Sequence, residues 1–425
     1  MSAEPGAASG PQPRRRSGLR PRTYPDPLYG EVRLSGWISP LLDTPPFRRL
    51  SGVSLSDVPG EMLFRHPFSS RLDHSRGVYA LARGARPRDR ALHVAALAHD
   101  LGHGPFSHLT EPLMIETLGM NHEQRSTRLL EQVRASLSPA ATRQMAWLDW
   151  DEVAALMLGE TSDGRGTLLN GQMDYDNLDN VARFLLAGGL AMPGYDARQV
   201  ARALRLTVPS SGMPHVVLLP DGAEGARAWL SDRITVYTYL HQGHRNLSIH
   251  AMLRKAVDLA AQADALPAGF FDMTDSAALT YLGRRERSGQ ALLVEQVMHD
   301  SLFACVWEAE IPRDDSAIIQ LIGSSRGDRN AMEETLAAEA GLAPHEVIVE
   351  AVTTSAHREL PPLLASNGGE TAARESQVDE APTIVHLFVT PSAGRDYQRR
   401  LRMAAERRLS ALGVLPHPLP TTLHE

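Results

Sequence analysis

The stretch HDLGHGPFSH, residues 99–108, constrains this chain more than any other feature. It ends a segment that begins at Asp89, DRALHVAALAHDLG, in which apolar and small residues recur at helical spacing and Gly102 is the stop signal. His99 and Asp100 are therefore neighbours about 100° apart on a helix, and both can reach one ion at its C-terminal end. Imidazole nitrogen with carboxylate oxygen suits a divalent first-row metal or Mg²⁺.

Three further short stretches carry similar chemistry. SSRLDHSRGV holds Arg71 and His74, NHEQ holds His122 and Glu123, and MDYDNLDNVAR holds Asp174, Asp176, Asp179 and Arg183. An earlier His and a later Asp, delivered by other helices, would complete a ligand set of His74, His99, Asp100 and Asp176. Four protein ligands leave room in a six-coordinate shell for water and a phosphate oxygen, which lowers the pKa of the water and polarises phosphorus. A lone His is more often a satisfied core residue, and that is the reading for His66, His93 and His215.

Around these stretches the pattern from about Asp26 to Ala265 is mostly helical, with helices expected over 152–158, 176–187, 196–204 and 229–263 and a brief strand near Val216–Leu219. After about Ser301, FACVWEAEI, VIVEAV and TIVHLFV read as strands, and 328–340 and 394–412 as helices. Ser366–Glu380 is polar and reads as a loop, and Met1 to about Pro25, with Arg14, Arg15 and Arg16 in a row, as a solvated tail. The expected organisation is a tail over 1–25, a catalytic domain over 26–300 and an α+β region over 301–425. The fold class is mainly α, a helical core with a smaller C-terminal α+β region.

Composition removes several functions. A net charge of −7 argues against nucleic-acid binding through bulk positive charge. No apolar run reaches the ~18–20 residues that span a bilayer. One cysteine, Cys305, makes neither an intrachain disulfide nor a cysteine zinc site, and a reduced, cytoplasmic protein is the simplest expectation. Lys255 is the only lysine, which excludes a mechanism built on several.

HDLGHGPFSH preceded by SRLDHSRGV resembles the HD-domain phosphohydrolases, and more narrowly their deoxynucleoside triphosphate triphosphohydrolase branch. DPLYGEVRLS, LLDTPPFRRL, MDYDNLDNVAR and LHQGHRNLSIHAMLRKAVD extend the similarity over roughly residues 26–265. The resemblance implies that His74, His99, Asp100 and Asp176 hold a divalent ion (Mn, Fe, Co, Mg, Ni or Zn) and that Arg71 grips the reacting phosphate. It also implies that His103, His108 and His122 line the cleft, with His122 the candidate acid and Glu123 able to orient it. Asn180 and Arg183, on the helical face of Asp176, are expected in the cleft, and His244, Arg245, Ser248 and His250 on a helix that contacts substrate. A homo-oligomer is implied, with no membrane partner.

The departures from that branch concern substrate. Asn177 stands where it carries a Lys, Asn180 where it carries a Tyr, Phe184 where it carries an Asp, and Ser248 and Ile249 where it carries an aromatic and an amide. Leu55 or a neighbouring Ser replaces a sugar-binding Gln. Charge-assisted hydrogen bonds contribute about 1.5–3 kcal/mol each, so a triphosphate cradle without them is much weakened. Arg183, Arg233 and Arg245 are the candidates to restore positive charge. The leading expectation is hydrolysis of a (deoxy)nucleoside triphosphate to nucleoside and triphosphate in an altered pocket. The alternatives are a phosphatase for a modified nucleoside 5′-monophosphate and a non-catalytic nucleotide-sensing oligomer.

Overall fold

The computed structural model describes residues 19–64, 68–208, 212–284, 288–311, 316, 325–353, 358–364, 369–371 and 383–411. The described chain opens on a hairpin, β1 (Arg22–Asp26) against β2 (Gly30–Leu34), antiparallel from Arg22↔Leu34 to Asp26↔Gly30. Val32 and Leu34 alternate into the core with the period of two that a half-buried strand requires. The expected tail thus stops short of Pro25, because Arg22–Pro25 already pair with β2. Residues 1–18, with Arg14–Arg16, and His66 lie outside the described residues.

Helices then build the body of the protein. Helix α1 (Arg71–Ala85) starts on a capping box in which Ser70 and Asp73 satisfy each other's backbone N–H. Asp89 caps α2 (Arg90–Ala98), whose helical hydrogen bonding ends at Ala98, earlier than the Gly102 stop. His99 keeps helical dihedrals, while Asp100 lies in the following turn. Then come α3 (Glu111–Leu118), α4 (His122–Ala135), capped by Asn121 and Gln124, and α5 (Tyr175–Gly188), capped by Asp174. The single helix expected over 229–263 is two, α6 (Ala223–Gln242) and α7 (His244–Gln262). Gly243 between them is extended (φ −75°, ψ 113°) and breaks the helical run.

Strands β3 (Leu204–Thr207) and β4 (His215–Leu218) form a hairpin. After α7, β5 (Ala304–Ile311), helix α8 (Arg326–Ala340), β6 (Val347–Thr353), the short pair β7 (Leu363–Leu364) and β8 (Glu370–Thr371), β9 (Thr383–Val389) and α9 (Arg395–Ala411) follow. Strand β9 is central, antiparallel to both β5 and β6, and β7 pairs with β4. Most of the polar loop expected over 366–380 lies outside the described residues; Glu370 and Thr371 within it form β8. No helix among the described residues is long and apolar enough to cross a membrane.

The sheet is buried on both faces. Val385, Leu387 and Val389 pack under α8 and α9, whereas Phe388 and Ile348 enter the core around α7. A buried ionic cluster fastens these layers. Arg254 of α7 donates to Glu350 of β6 (2.8 Å), Glu333 of α8 (3.1 Å) and Asp258 (2.9 Å), and Lys255 reaches Glu333 at 2.5 Å. All five groups are nearly solvent-free. Removing one cation strands buried carboxylates, so Arg254→Leu is expected to destabilise the fold by about 3–5 kcal/mol in urea unfolding. A change under ~1 kcal/mol, the range of exposed pairs, would refute this role.

Candidate metal centre and cavity

Three helical elements deliver the central side chains. His74 comes from the first turn of α1, His99 and Asp100 from the end of α2, and Asp176 from the first turn of α5. Ligating atoms of His74, His99 and Asp100 lie within 4.8 Å of one another. Asp176 Oδ1 is 2.8 Å from His74 Nε2 and 3.8 Å from His99 Nε2, so four donors surround one point. The Nε2 atoms of His74 and His99 are buried and make no hydrogen bond. Buried imidazole nitrogens rarely go unsatisfied, and two that face two carboxylates fit a divalent cation. Burial disfavours charge here, yet the neighbouring carboxylates raise both imidazoles, His74 to about 9. Burial likewise opposes the carboxylates, but Arg71, His99 and His103 hold Asp100 well below the usual range, and His74 and His99 do the same for Asp176. A cation entering this cluster displaces a proton.

Behind the ligands runs a fully buried chain of contacts. His74 Nδ1 pairs with Asp179 Oδ2 at 2.7 Å, Arg183 Nε donates to the same oxygen at 2.5 Å, and Arg183 Nη2 donates to Asp26 Oδ2 at 2.8 Å. A carboxylate on Nδ1 fixes the ring orientation that aims Nε2 at a metal. The approach of α1 to α5 is so close that a Cβ on Gly77 would collide with Asp179 and Arg183. On the other side of the centre, Arg71 donates to Asp100 Oδ2 (2.8 Å), Ser107 Oγ (2.8 Å) and the Leu55 carbonyl (3.1 Å). The GPFS turn that supplies Ser107 is left-handed at Phe106 and Ser107, and Asp275 holds it by accepting the Phe106 N–H at 2.8 Å.

His103, His108 and His122 form a second cluster, with His103 and His122 stacked at 3.9 Å between centroids. Glu111, the first residue of α3, accepts from both His122 Nδ1 (2.5 Å) and His108 Nδ1 (2.9 Å). Burial and the neighbouring Arg71 guanidinium push His103 well below the usual imidazole value. Burial also lowers His108, but the Glu111 and Asp57 carboxylates outweigh it and its pKa is raised. Glu111 thus does what was expected of Glu123, whose carboxylate turns instead to the side-chain amides of Asn121 and Asn170.

A cavity of about 370 Å³ adjoins this cluster. Arg71, His108, Asn180 and Phe184 line it together with Leu55, Ser56 and Asp57, and so do Asn246 and His250 of α7 and Glu350 of β6. Other expected substrate contacts fall elsewhere. Arg183 is buried behind His74, because its donors are committed to Asp179, Asp26 and Ser69. Ser248 lies on the opposite face of α7 and donates to the Phe303 carbonyl, and His244 pairs with Glu308 at 2.7 Å. Arg233 donates to Asn177, and Arg245 to Asp300 and the Met62 carbonyl. Among the described residues, Arg71 is the cavity's one lining guanidinium. His93 and His215 are satisfied by the Arg86 carbonyl and Glu370.

Residues 71–191 match the family model described as HD domain, so the chain carries an HD domain there. All four centre residues fall within it. The chain is similar to deoxynucleoside triphosphate triphosphohydrolase SAMHD1 of Gallus gallus, 32% identical over 135 residues, 27% of this chain and 22% of that protein. Against SAMHD1 of Homo sapiens the figures are 31% over 126 residues, 25% and 20%. YwfO of Bacillus subtilis is 26% identical over 264 residues, 57% of this chain and 56% of that protein. The chain therefore spans about a fifth of the SAMHD1 relatives' length.

Second contacts to metal-binding histidines typically change affinity about 10–100-fold when removed. Asp179→Asn is expected to weaken Mn²⁺ binding by that factor in calorimetric titration, with the circular dichroism of a folded protein. An unaltered affinity would remove Asp179 from the centre.

Proposed function

We propose that this chain is a metal-dependent phosphohydrolase that cleaves the phosphoester of a nucleotide, a (deoxy)nucleoside triphosphate giving nucleoside and triphosphate. The observation that carries the reading is the convergence of His74, His99, Asp100 and Asp176 beside a cavity lined by Arg71 and His108. The HD-domain match and the similarity to triphosphohydrolases over the same residues support it. A divalent cation held by the four ligands supplies Lewis-acid polarisation at phosphorus and a more acidic water.

The chain's own residues do the rest. Arg71, anchored by Asp100, Ser107 and the Leu55 carbonyl, still has two of its five N–H donors for phosphate oxygens. His108 is open to the cavity and Glu111 favours its protonated form, so it is the group to donate the proton that the departing ester oxygen requires. His122, held by the other oxygen of Glu111, steadies that carboxylate, and His103, buried and neutral, packs against both rings. Asn180, Asn246 and His250 offer hydrogen bonds to sugar or base.

One observation favours a second reading, a nucleoside monophosphate phosphatase. Arg71 is the cavity's one guanidinium among the described residues, and Asp57 and Glu350 share the lining, which suits fewer negative charges than a triphosphate brings. Product analysis by ³¹P NMR with Mn²⁺, Co²⁺ or Mg²⁺ separates the two, since inorganic triphosphate marks the first and orthophosphate the second. Asp100→Ala is expected to abolish either product; wild-type protein as silent as this variant on every nucleotide and metal would defeat both readings.

The proton donor has its own signature. A raised His108 pKa keeps the acid form present to higher pH, and kcat falls as pH rises through it. Glu111→Gln removes the raising carboxylate and is expected to move that alkaline limb to lower pH. A limb that stays in place would exclude the Glu111–His108 pair as the acid.

A further inference from the structure

Away from the HD centre, a second set of metal-type ligands converges where α7 meets the C-terminal sheet. His244 is the first residue of α7, Glu308 lies on β5 and His386 on the central strand β9. Glu308 and His386 are cross-strand partners in register, so their side chains share a face of the sheet. The start of α7 lies over that face. His244 Nε2 is 2.7 Å from Glu308 Oε2, His386 Nε2 is 3.6 Å from the same oxygen, and ligating atoms of all three lie within 4.8 Å. The two rings meet edge to face with centroids 5.8 Å apart. His386 is buried, and His244 and Glu308 are half-buried.

We propose that His244, Glu308 and His386 form a second divalent-cation site, of the zinc type, that ties α7 to strands β5 and β9. The donor set decides the class of ion. Two imidazoles and a carboxylate suit Zn²⁺, Co²⁺ or Ni²⁺, whereas Mg²⁺ and Ca²⁺ prefer shells of oxygen. Ligand bonds of about 2.0–2.1 Å place the corners of a tetrahedron ~3.4 Å apart, and the observed 2.7 and 3.6 Å separations bracket that edge. Zinc entry takes the place of the hydrogen bond between His244 and Glu308 and moves the two groups apart by about 0.7 Å toward that edge.

The location gives the ion a structural task. Asn246 and His250, on the first turns of α7, and Glu350, beside His386 on β6, line the nucleotide cavity, while the three ligands themselves do not. An ion here would fix the helix and the sheet that together line the cavity. The site stands whether or not the phosphohydrolase reading holds, because none of its ligands belongs to the HD centre.

The test uses the full chain loaded with zinc, freed of loose metal on a desalting column and assayed by mass spectrometry. Asp100→Ala, which disables the HD centre, is expected to retain about one Zn²⁺ per chain, and adding Glu308→Gln to release it. The Co²⁺-loaded Asp100→Ala protein should show the visible absorption of a tetrahedral ion, lost with Glu308→Gln. A folded Asp100→Ala protein without zinc overturns the proposal, as does zinc that persists after Glu308→Gln. Should Asp100→Ala not fold, Glu308→Gln alone is compared with wild type: loss of about one Zn²⁺ per chain supports the site, and equal content overturns it.

Discussion

The centre depends on one buried line of charge, Asp26–Arg183–Asp179–His74. Each member is costly alone, since an isolated buried ion carries a desolvation penalty of several kcal/mol. Together they neutralise one another and leave a single consequence at the far end, a His74 ring that cannot rotate. The hairpin β1–β2 supplies Asp26, α1 supplies His74 and α5 supplies the other two. Three elements distant in sequence are thus held by the charge balance that also aims the ring. Gly77 permits the contact, and Arg71 repeats the arrangement for Asp100 on the opposite side.

The same economy joins the HD domain to the C-terminal sheet. Glu350 accepts from Arg254 within the ionic cluster and also lines the cavity, so the interaction that fixes the sheet also fixes one wall of the cavity. Glu111 couples two imidazoles in the same manner, holding one at the cavity and one behind it. Neutral groups, Asn180, Phe184, Asn246 and Tyr237 among them, make up most of the remaining lining. This is how metal chemistry can sit beside a pocket with few cations.

Much of this was legible in the sequence. Helical periodicity located α5, α8 and α9 to within two residues or so, and the strands β5, β6 and β9 were read almost to their ends. The four centre residues were legible because their chemistry is compressed into short stretches. What escaped was direction. Asp179 and Glu111 sit three residues after Asp176 and His108, the spacing that puts side chains on one helical face, and that spacing was the available signal. Arg183 and Ser248 have the right spacing for the cavity but point away from it, because partners outside their own helices, Asp26 and the Phe303 carbonyl, claim them. The break at Gly243 was missed because the apolar pattern runs on through it.

The central claim is that one divalent cation is gathered by two imidazoles and two carboxylates from α1, the end of α2 and α5. An anomalous difference map from crystals of the protein soaked in Mn²⁺ tests it directly. The account predicts a peak enclosed by His74 Nε2, His99 Nε2 and carboxylate oxygens of Asp100 and Asp176, within about 2.0–2.4 Å of each. A map with no density among these four side chains at saturating Mn²⁺ would contradict it.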